Sequence, residues 1–301
     1  MKLKKIPIIL GTTATGKTAV AIEFAKRVDG ELINADARAI YRGMDIGTAK
    51  PSSAEQAQVP HHLIDVCDPT EIYDVEKFRH DVEKRIKDIQ SRGRVPIIVG
   101  GSTLYIKAIT EGVFEGPGAD AKLRQKFDET SLEQLYQRLS EVDPVTAQRL
   151  KPNDRIRITR ALEVFELTGQ SISEWQAQAK PLPFTFQKFG LWLDRARLYE
   201  RINQRVDVMM DMGLLEEAKA LHRKLKRGTP AYKTIGYQEL FDHFEGTLSL
   251  EDAIDKIKQH TRNYAKRQLT WHRRDETITW IDVEKHSSEA IVDMIIDDLK
   301  K

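Results

Sequence analysis

The chain is short of cysteine, of long apolar runs and of any excess of one charge. Its single cysteine, Cys67, excludes an internal disulfide and a cysteine-based zinc site in 301 residues. No apolar stretch approaches the ~20 residues of a membrane span, and Ile6 to Leu10 is too short to be the core of a signal peptide. No membrane partner is expected, and the cytosol is the expected compartment. The 48 Lys+Arg stand against 46 Asp+Glu, a formal net charge of +2. By itself that balance speaks against a nucleic-acid partner, which usually selects a basic excess. What remains is an ordinary globular composition, 40% hydrophobic beneath a surface rich in charge. The length allows two domains, or one α/β domain carrying an insertion.

Short apolar runs alternate with amphipathic ones through the first third of the chain. Lys4 to Leu10, Glu31 to Ala35, His62 to Val66 and Val95 to Val99 read as strands. Ala19 to Arg27, Val75 to Ser91 and a segment from Thr103 onward read as helices. Such alternation predicts an α/β fold, a parallel sheet flanked by helices. Beyond Glu115-Gly-Pro-Gly-Ala119 the helical period takes over until about Gln178, and Phe189 to Leu193 returns to the sheet. The expected layout is therefore a core in residues 1–117, an all-helical insertion domain in 118–186, and the second part of the core in 187–301. From Leu198 to Arg274 the pattern is helical, broken only near Gly228-Thr-Pro230 and Gly236.

Between the first strand and first helix stands Gly11-Thr12-Thr13-Ala14-Thr15-Gly16-Lys17-Thr18, a full match to G-x-x-x-x-G-K-[ST]. Glycines let backbone amides curl around phosphate oxygens, and the following helix adds its positive N-terminal end. Lys17 supplies a mobile ammonium, and the Thr18 hydroxyl can ligate Mg²⁺. The loop does not say which phosphate compound it holds. A kinase or ATPase wants an Asp after an apolar strand, and Asp36, Asp65 and Asp194 all follow runs too short to single one out.

A second polar run, Asn34-Ala-Asp36-Ala37-Arg38-Ala39-Ile-Tyr41 onward to Lys50-Pro51, follows the second strand, where open α/β sheets place ligands. Further along stand Pro60-His61-His62-Leu-Ile-Asp65, Val99-Gly-Gly-Ser102-Thr-Leu-Tyr105, Asn153-Asp154-Arg155-Ile156-Arg157-Ile158-Thr159-Arg160, and Thr261-Arg262-Asn-Tyr-Ala-Lys266-Arg267-Gln268-Leu-Thr-Trp271. In this order, over nearly the whole chain, the segments closely resemble the tRNA dimethylallyltransferases, also called tRNA isopentenyltransferases. The lack of a Cys/His zinc module matches the bacterial type.

The resemblance implies transfer of a dimethylallyl group from dimethylallyl diphosphate to the exocyclic N6 amine of the adenosine 3′-adjacent to the anticodon of tRNA. An adenine amine is a very weak base, so its proton must leave as the carbon–nitrogen bond forms; the family's catalytic Asp falls on Asp36. Ser102 stands where Thr is usual, its hydroxyl expected to support Asp36 or the substrate. Residues Gly11 to Thr18, with Lys17 foremost, would hold the diphosphate, and Lys233 takes the place of a usual Arg beside it. Asp36, Ala37, Arg38, Ala39 and Ser102 are implied as tRNA-facing, with Arg124 and the run Ile156 to Arg160 gripping the anticodon stem-loop. Thr12 stands for a usual Pro, and Ala37 for the commoner Ser.

The balance of charge hides a local excess. From Lys256 to Arg274 there are seven Lys+Arg and no Asp or Glu in 19 residues. At about 100° per residue, Lys258, Arg262, Lys266 and Arg273 share one helical face, while Ile257, Tyr264 and Trp271 oppose it as an apolar anchor. A run of one sign is better explained by phosphate-backbone contact than by a solvated face, which normally mixes signs. Adjacent His61 and His62 do not aim at one ion and are assigned no metal; Cys67 is expected to be a buried apolar residue. The expectation is a monomeric Mg²⁺-dependent tRNA prenyltransferase. The rival readings are a small-molecule kinase using ATP, and a non-catalytic tRNA-binding module.

Overall fold

The computed structural model describes residues 4–301. They form two compact units, one running to Lys107 and resuming at Pro183–Lys301, the other Ala108–Leu182. The first unit opens with β1 (Ile6–Gly11), α1 (Lys17–Val28), β2 (Gly30–Asn34), α2 (Ser53–Gln56) and β3 (His61–His62). There follow α3 (Val75–Ser91), β4 (Val95–Gly100) and α4 (Thr103–Thr110), whose last turn already belongs to the second unit. The second unit holds α5 (Ala121–Glu129), α6 (Leu132–Val142), α7 (Pro144–Arg149), α8 (Arg155–Thr168) and α9 (Ile172–Ala177). The first unit resumes with β5 (Phe186–Trp192), α10 (Arg195–Asp211), α11 (Leu214–His222) and α12 (Tyr237–Phe244). It ends with α13 (Leu250–His272), β6 (Ile278–Asp282) and α14 (Ser288–Lys300).

The six strands make one parallel sheet in the order β3-β2-β4-β1-β5-β6. Every residue of β1 and β2 is buried, as a parallel sheet covered on both faces demands. Ile9, Phe24, Leu32, Ile97, Phe189 and Ile295 meet in its core, each such side chain contributing roughly 1.5–3 kcal/mol when fully buried. The strand order has a consequence for function. β2, β4 and β1 are neighbours and parallel, so the loops leaving their C-terminal ends, at Asp36, Gly101-Ser102 and Gly11–Gly16, emerge side by side.

The second unit has its own core, with Phe127, Leu135, Leu139, Ile158 and Leu162 buried together. Its short helices start on strong caps: Ser131 and Ser171 form capping boxes with Gln134 and Glu174, and Asp143 caps Pro144–Arg149. Those caps offset the poor intrinsic stability of helices of six to eleven residues.

Two readings change in the fold. The strand expected from His62 to Val66 shrinks to His61–His62, because Leu63 and Asp65 adopt φ of +60° and +56° and the Leu63 carbonyl accepts from Asn34 Nδ2 at 3.0 Å. Strand β6 and helix α14 add to the pattern read from the sequence. β6 pairs with β5 from Ile278 to Asp282, and α14 buries Ile291, Val292, Ile295 and Leu299, in the same core as Phe24 and Val28 of α1. Among the described residues no helix is long and apolar enough to cross a membrane. Cys67 is buried and unbonded to another cysteine.

Candidate active site

The phosphate loop is shaped by two glycines for different reasons. A Cβ at Gly11 would sit 2.5 Å from the Leu191 carbonyl oxygen, so close approach of β5 excludes any side chain. Gly16 has open space around it but φ +83°, the left-handed region that favours glycine, where it caps α1. Ala14 takes φ +65° without that freedom, at a cost of about 1–2 kcal/mol. Thr15 Oγ1 donates to the Thr12 carbonyl at 2.8 Å, and Lys17 Nζ donates to the same oxygen at 2.6 Å. Burial, then the neighbouring Arg205 guanidinium, pushes the Lys17 ammonium down to about 8, with Asp36 opposing both. Thr12 Oγ1 is buried with no hydrogen-bond partner among the described residues.

A cleft of about 690 Å³ opens beside the loop, within the first unit. Thr13, Ala14, Gly16, Lys17 and Thr18 line it, as do Asp36, Ala37, Arg38, Ala39, Ser102 and Lys233. Gly11, Thr12 and Thr15 lie behind that wall, Thr12 and Thr15 being buried. Asp36 Oδ1 accepts from the backbone amides of Arg38 at 2.8 Å and Ala39 at 3.4 Å, an Asx turn that fixes the carboxylate. Asn34 holds the same turn from behind: its Oδ1 accepts from Asp36 N and its Nδ2 donates to the Asp36 carbonyl. Oδ2 makes no hydrogen bond among the described residues, which leaves an acceptor in the cleft. Asp65 pairs with Lys50 at 2.6 Å and Asp194 caps α10, so of the three sequence candidates only Asp36 lines the cleft.

Ser102 joins Asp36 in the cleft through its backbone rather than its side chain. Ser102 N donates to the Ala35 carbonyl at 3.3 Å, and no hydrogen bond links the Ser102 hydroxyl to Asp36 among the described residues. The support expected for Asp36 comes instead from Asn34. Arg38 Nη1 donates to the Pro230 carbonyl at 2.8 Å, tying this loop to the segment that carries Lys233. A second clamp is Glu217, whose carboxylate accepts from the amides of Asp45, Ile46 and Gly47 and from the Tyr237 hydroxyl at 2.6 Å. A Cβ at Gly47 would strike the Tyr237 ring at 2.6 Å, so glycine is required for that closure.

The basic helix α13 is less uniform than its sequence. Lys258 pairs with Asp207 at 2.6 Å, and Arg262 Nη1 donates to Asn203 Oδ1 at 2.6 Å, while Lys266, Arg267 and Arg273 are exposed. Ile257 is buried as expected, but Trp271 is 45% exposed and stacks under the Arg274 guanidinium rather than anchoring the helix. The buried face is completed by Ala265, Gln268 and His272. Burial, then the charge of Lys17, pushes His272 down to about 4 and keeps it neutral.

In the second unit, Arg124 and Arg160 converge on the buried Glu163, at 2.8 and 2.6 Å. Burial disfavours the Glu163 carboxylate, but the two guanidiniums outweigh it and hold its pKa below the ordinary value. Arg157 is exposed and pairs with Asp154 at 3.3 Å, and Ile156 is 81% exposed. Ile158 is fully buried, and Thr159 Oγ1 donates to the Arg155 carbonyl at 2.8 Å. Of the expected tRNA-facing run, the Ile158 side chain therefore serves the core of the unit, because helical periodicity turns it inward.

Arg205 lines the cleft without any signal in the sequence, and Tyr264, Arg267 and Gln268, part of the Thr261-to-Trp271 segment but given no role at the phosphate loop, line it too. Arg205 Nη1 lies 3.5 Å from Thr13 Oγ1, and burial holds its pKa below the ordinary value against the attraction of Asp36. Burial also raises Tyr264, with Asp36 adding to the effect. His61 lines the cleft as well, its Nδ1 facing the Val59 carbonyl at 2.8 Å, whereas His62 pairs with buried Glu31 at 2.7 Å.

The residues fit a Mg²⁺ ion brought in with phosphates. No group of three His, Cys, Asp or Glu forms a metal cage among the described residues. Mg²⁺ bound through one hydroxyl, substrate phosphates and water needs none, and Thr18 lines the cleft beside Lys17.

Comparison with known proteins identifies the family. The family model described as IPP transferase matches residues 39–275. The chain is 46% identical over 288 residues to the tRNA dimethylallyltransferase of Geobacter metallireducens, covering 92% of each chain. It is 42% identical to that of Anoxybacillus flavithermus, over 93% of this chain and 91% of the relative. The full-length tRNA isopentenylpyrophosphate transferase of Bacillus halodurans superposes with TM-score 0.74 at 39% identity, covering 99% and 97% of the two chains. A eukaryotic dimethylallyltransferase crystallised acting on tRNA gives TM-score 0.84 at 29% identity, over 97% of this chain and 78% of that one.

Proposed function

The chain belongs to the IPP transferase family, and we propose that its cleft is where a dimethylallyl group passes from dimethylallyl diphosphate to tRNA. The chain is an enzyme, a tRNA prenyltransferase. The acceptor we assign is the N6 amine of the adenosine 3′-adjacent to the anticodon. The observation that carries the reading is the meeting of Lys17, Arg205 and Asp36 in one cleft: two cations beside a phosphate loop, with the Asp36 carboxylate close enough to act on both.

The diphosphate of the donor seats on the loop amides and the positive end of α1. Lys17 leaves the Thr12 carbonyl to meet it, and Arg205 and Lys233 add charge from the other walls of the cleft. The adenine, stacked within its anticodon loop, must be extruded to enter. As N6 attacks the allylic carbon, the carbon–oxygen bond breaks and diphosphate departs with its electron pair. Asp36 Oδ2 accepts the N6 proton, while Oδ1 stays on the amides of Arg38 and Ala39 and keeps the carboxylate aimed. Thr18 would hold Mg²⁺, which supplies charge neutralisation on the leaving diphosphate when bound. In the second unit, Ile156 and Arg157 stand exposed on the first turn of α8, the part of the expected run best presented to an anticodon arm.

The test is incubation with labelled dimethylallyl diphosphate and an anticodon stem-loop, followed by digestion and identification of the nucleoside. N6-isopentenyladenosine is expected. ATP turnover without RNA, and no labelled nucleoside, would favour the kinase reading instead.

A further inference from the structure

Gln268 is buried at 4% exposure on α13 and bridges two loops at the C-terminal ends of the central strands β1 and β4. Its Oε1 accepts from Thr13 N in the phosphate loop at 3.2 Å, and its Nε2 donates to the Gly101 carbonyl at 2.7 Å. The packing leaves no slack. A Cβ at Gly101 would lie 2.5 Å from Gln268 Nε2 and 2.7 Å from the Gly11 carbonyl oxygen. Helix, phosphate loop and the loop leading to Ser102 therefore interlock at one side chain.

The interlock falls where the phosphate loop is least able to hold itself. Thr13 precedes Ala14, the non-glycine residue at φ +65°, and that conformation persists only when its surroundings impose it. On the Thr13 side, the hydrogen bond from its amide to Gln268 and the approach of Arg205 to its hydroxyl supply that constraint. An amide side chain suits the task, since it accepts from one backbone group and donates to another without adding charge beside a diphosphate.

We propose that Gln268 is a positioning residue that holds the phosphate loop in its diphosphate-receiving shape. It acts through Thr13 and Ala14, with its amide committed to the Thr13 amide and the Gly101 carbonyl. The inference rests on the loop being the diphosphate site, as proposed above.

The experiment uses the full chain and inorganic diphosphate as probe, with the wild type, Gln268→Met and Gln268→Asn. Met keeps the volume without hydrogen bonds, and Asn is too short to span both loops. Calorimetric affinity for diphosphate should fall at least tenfold in both variants, and the KM for dimethylallyl diphosphate should rise in step. The KM for an anticodon stem-loop should stay within about twofold, and amide hydrogen exchange over residues 11–18 should quicken. Should Gln268→Met fail to fold, Gln268→Asn carries the same readouts. A folded variant with unchanged diphosphate affinity and unchanged loop exchange overturns the role of Gln268 alone. A wild type that does not bind diphosphate overturns the diphosphate assignment of the loop, and this inference with it.

Discussion

Lys17 Nζ lies 2.6 Å from the carbonyl oxygen of Thr12, five residues earlier in the same loop. The ammonium thus rests on the loop that is to receive the diphosphate. Lys17→Ala should raise the donor KM by more than tenfold and lower kcat, because the charge needed on the leaving group is gone. Stem-loop affinity should hold. Intact donor kinetics would refute the assignment.

Asp36 has two roles that one substitution can separate. Asp36→Asn keeps an oxygen for the amides of Arg38 and Ala39, so the turn survives, but the side chain no longer takes a proton. Turnover should drop by about 10²–10⁴-fold, the usual worth of a general base, with tRNA affinity within a few-fold. Asp36→Ala should lose both turn and turnover. Rapid-quench single-turnover kinetics measures the step directly, and an unchanged rate sinks the role as base.

Glu217 fastens the segment 45–47 with one carboxylate on three amides and a phenol. Glu217→Ala strands these donors and should cost about 2–3 kcal/mol in a urea titration. Tyr237→Phe removes a single partner and should cost about 1 kcal/mol. Equal losses in both variants would show that the amides find water at no cost.

Charge reversal at Arg262 and Lys266 should weaken tRNA binding and flatten its salt dependence. Every phosphate that the protein no longer neutralises takes about 0.7–0.9 off the slope of log K against log salt. Lys266 should contribute more, since it is exposed while Arg262 already bonds Asn203. Filter binding across a salt series decides it; an untouched slope means α13 does not meet the phosphate backbone.

Acid stability should depend on Glu31. Arg92 first, then His62 and Arg94, outweigh burial and hold its carboxyl at about 2 against an ordinary 4.5. A depressed acid contributes stability that is complete above 4.5 and disappears as pH falls toward 2. Glu31→Gln should be less stable than the parent at pH 7 and should flatten the acid limb between those values. Denaturant midpoints from pH 6 to 2 test the sign.

The phosphate loop was legible because its chemistry is contiguous: eight neighbouring residues carry both the turn and the charge. Strands β1 and β4 were legible because a doubly covered parallel strand is a continuous apolar run, and β2 and β5 because each keeps a shorter apolar stretch, Leu32-Ile33 and Phe189 to Trp192. β6 was not, since exposed Thr279 and half-buried Trp280 break its run at the sheet edge. The apparent strand after His62 failed for a different reason. Leu63 and Ile64 are apolar enough, but backbone dihedrals at Leu63 and Asp65 turn the chain away, and composition does not report dihedrals.

The near-zero charge total misled for a related reason. Attraction to phosphate depends on where charge lies, and the seven cations between Lys256 and Arg274 are offset by acids elsewhere in the chain. The tertiary fold then refined that count by giving Lys258 an acidic partner and leaving Lys266 exposed.

By itself the sequence determined the chemistry available: a phosphate loop, one carboxylate placed just after a strand, a one-sign basic helix, and the family to which these belong. Only the tertiary structure decided which distant groups complete the site. Arg205 reaches Thr13 across 192 positions and Gln268 across 255, separations at which no local pattern survives. The physical reason is the strand order. It places the ends of β2, β4 and β1 together and lets helices from the far end of the chain close over them.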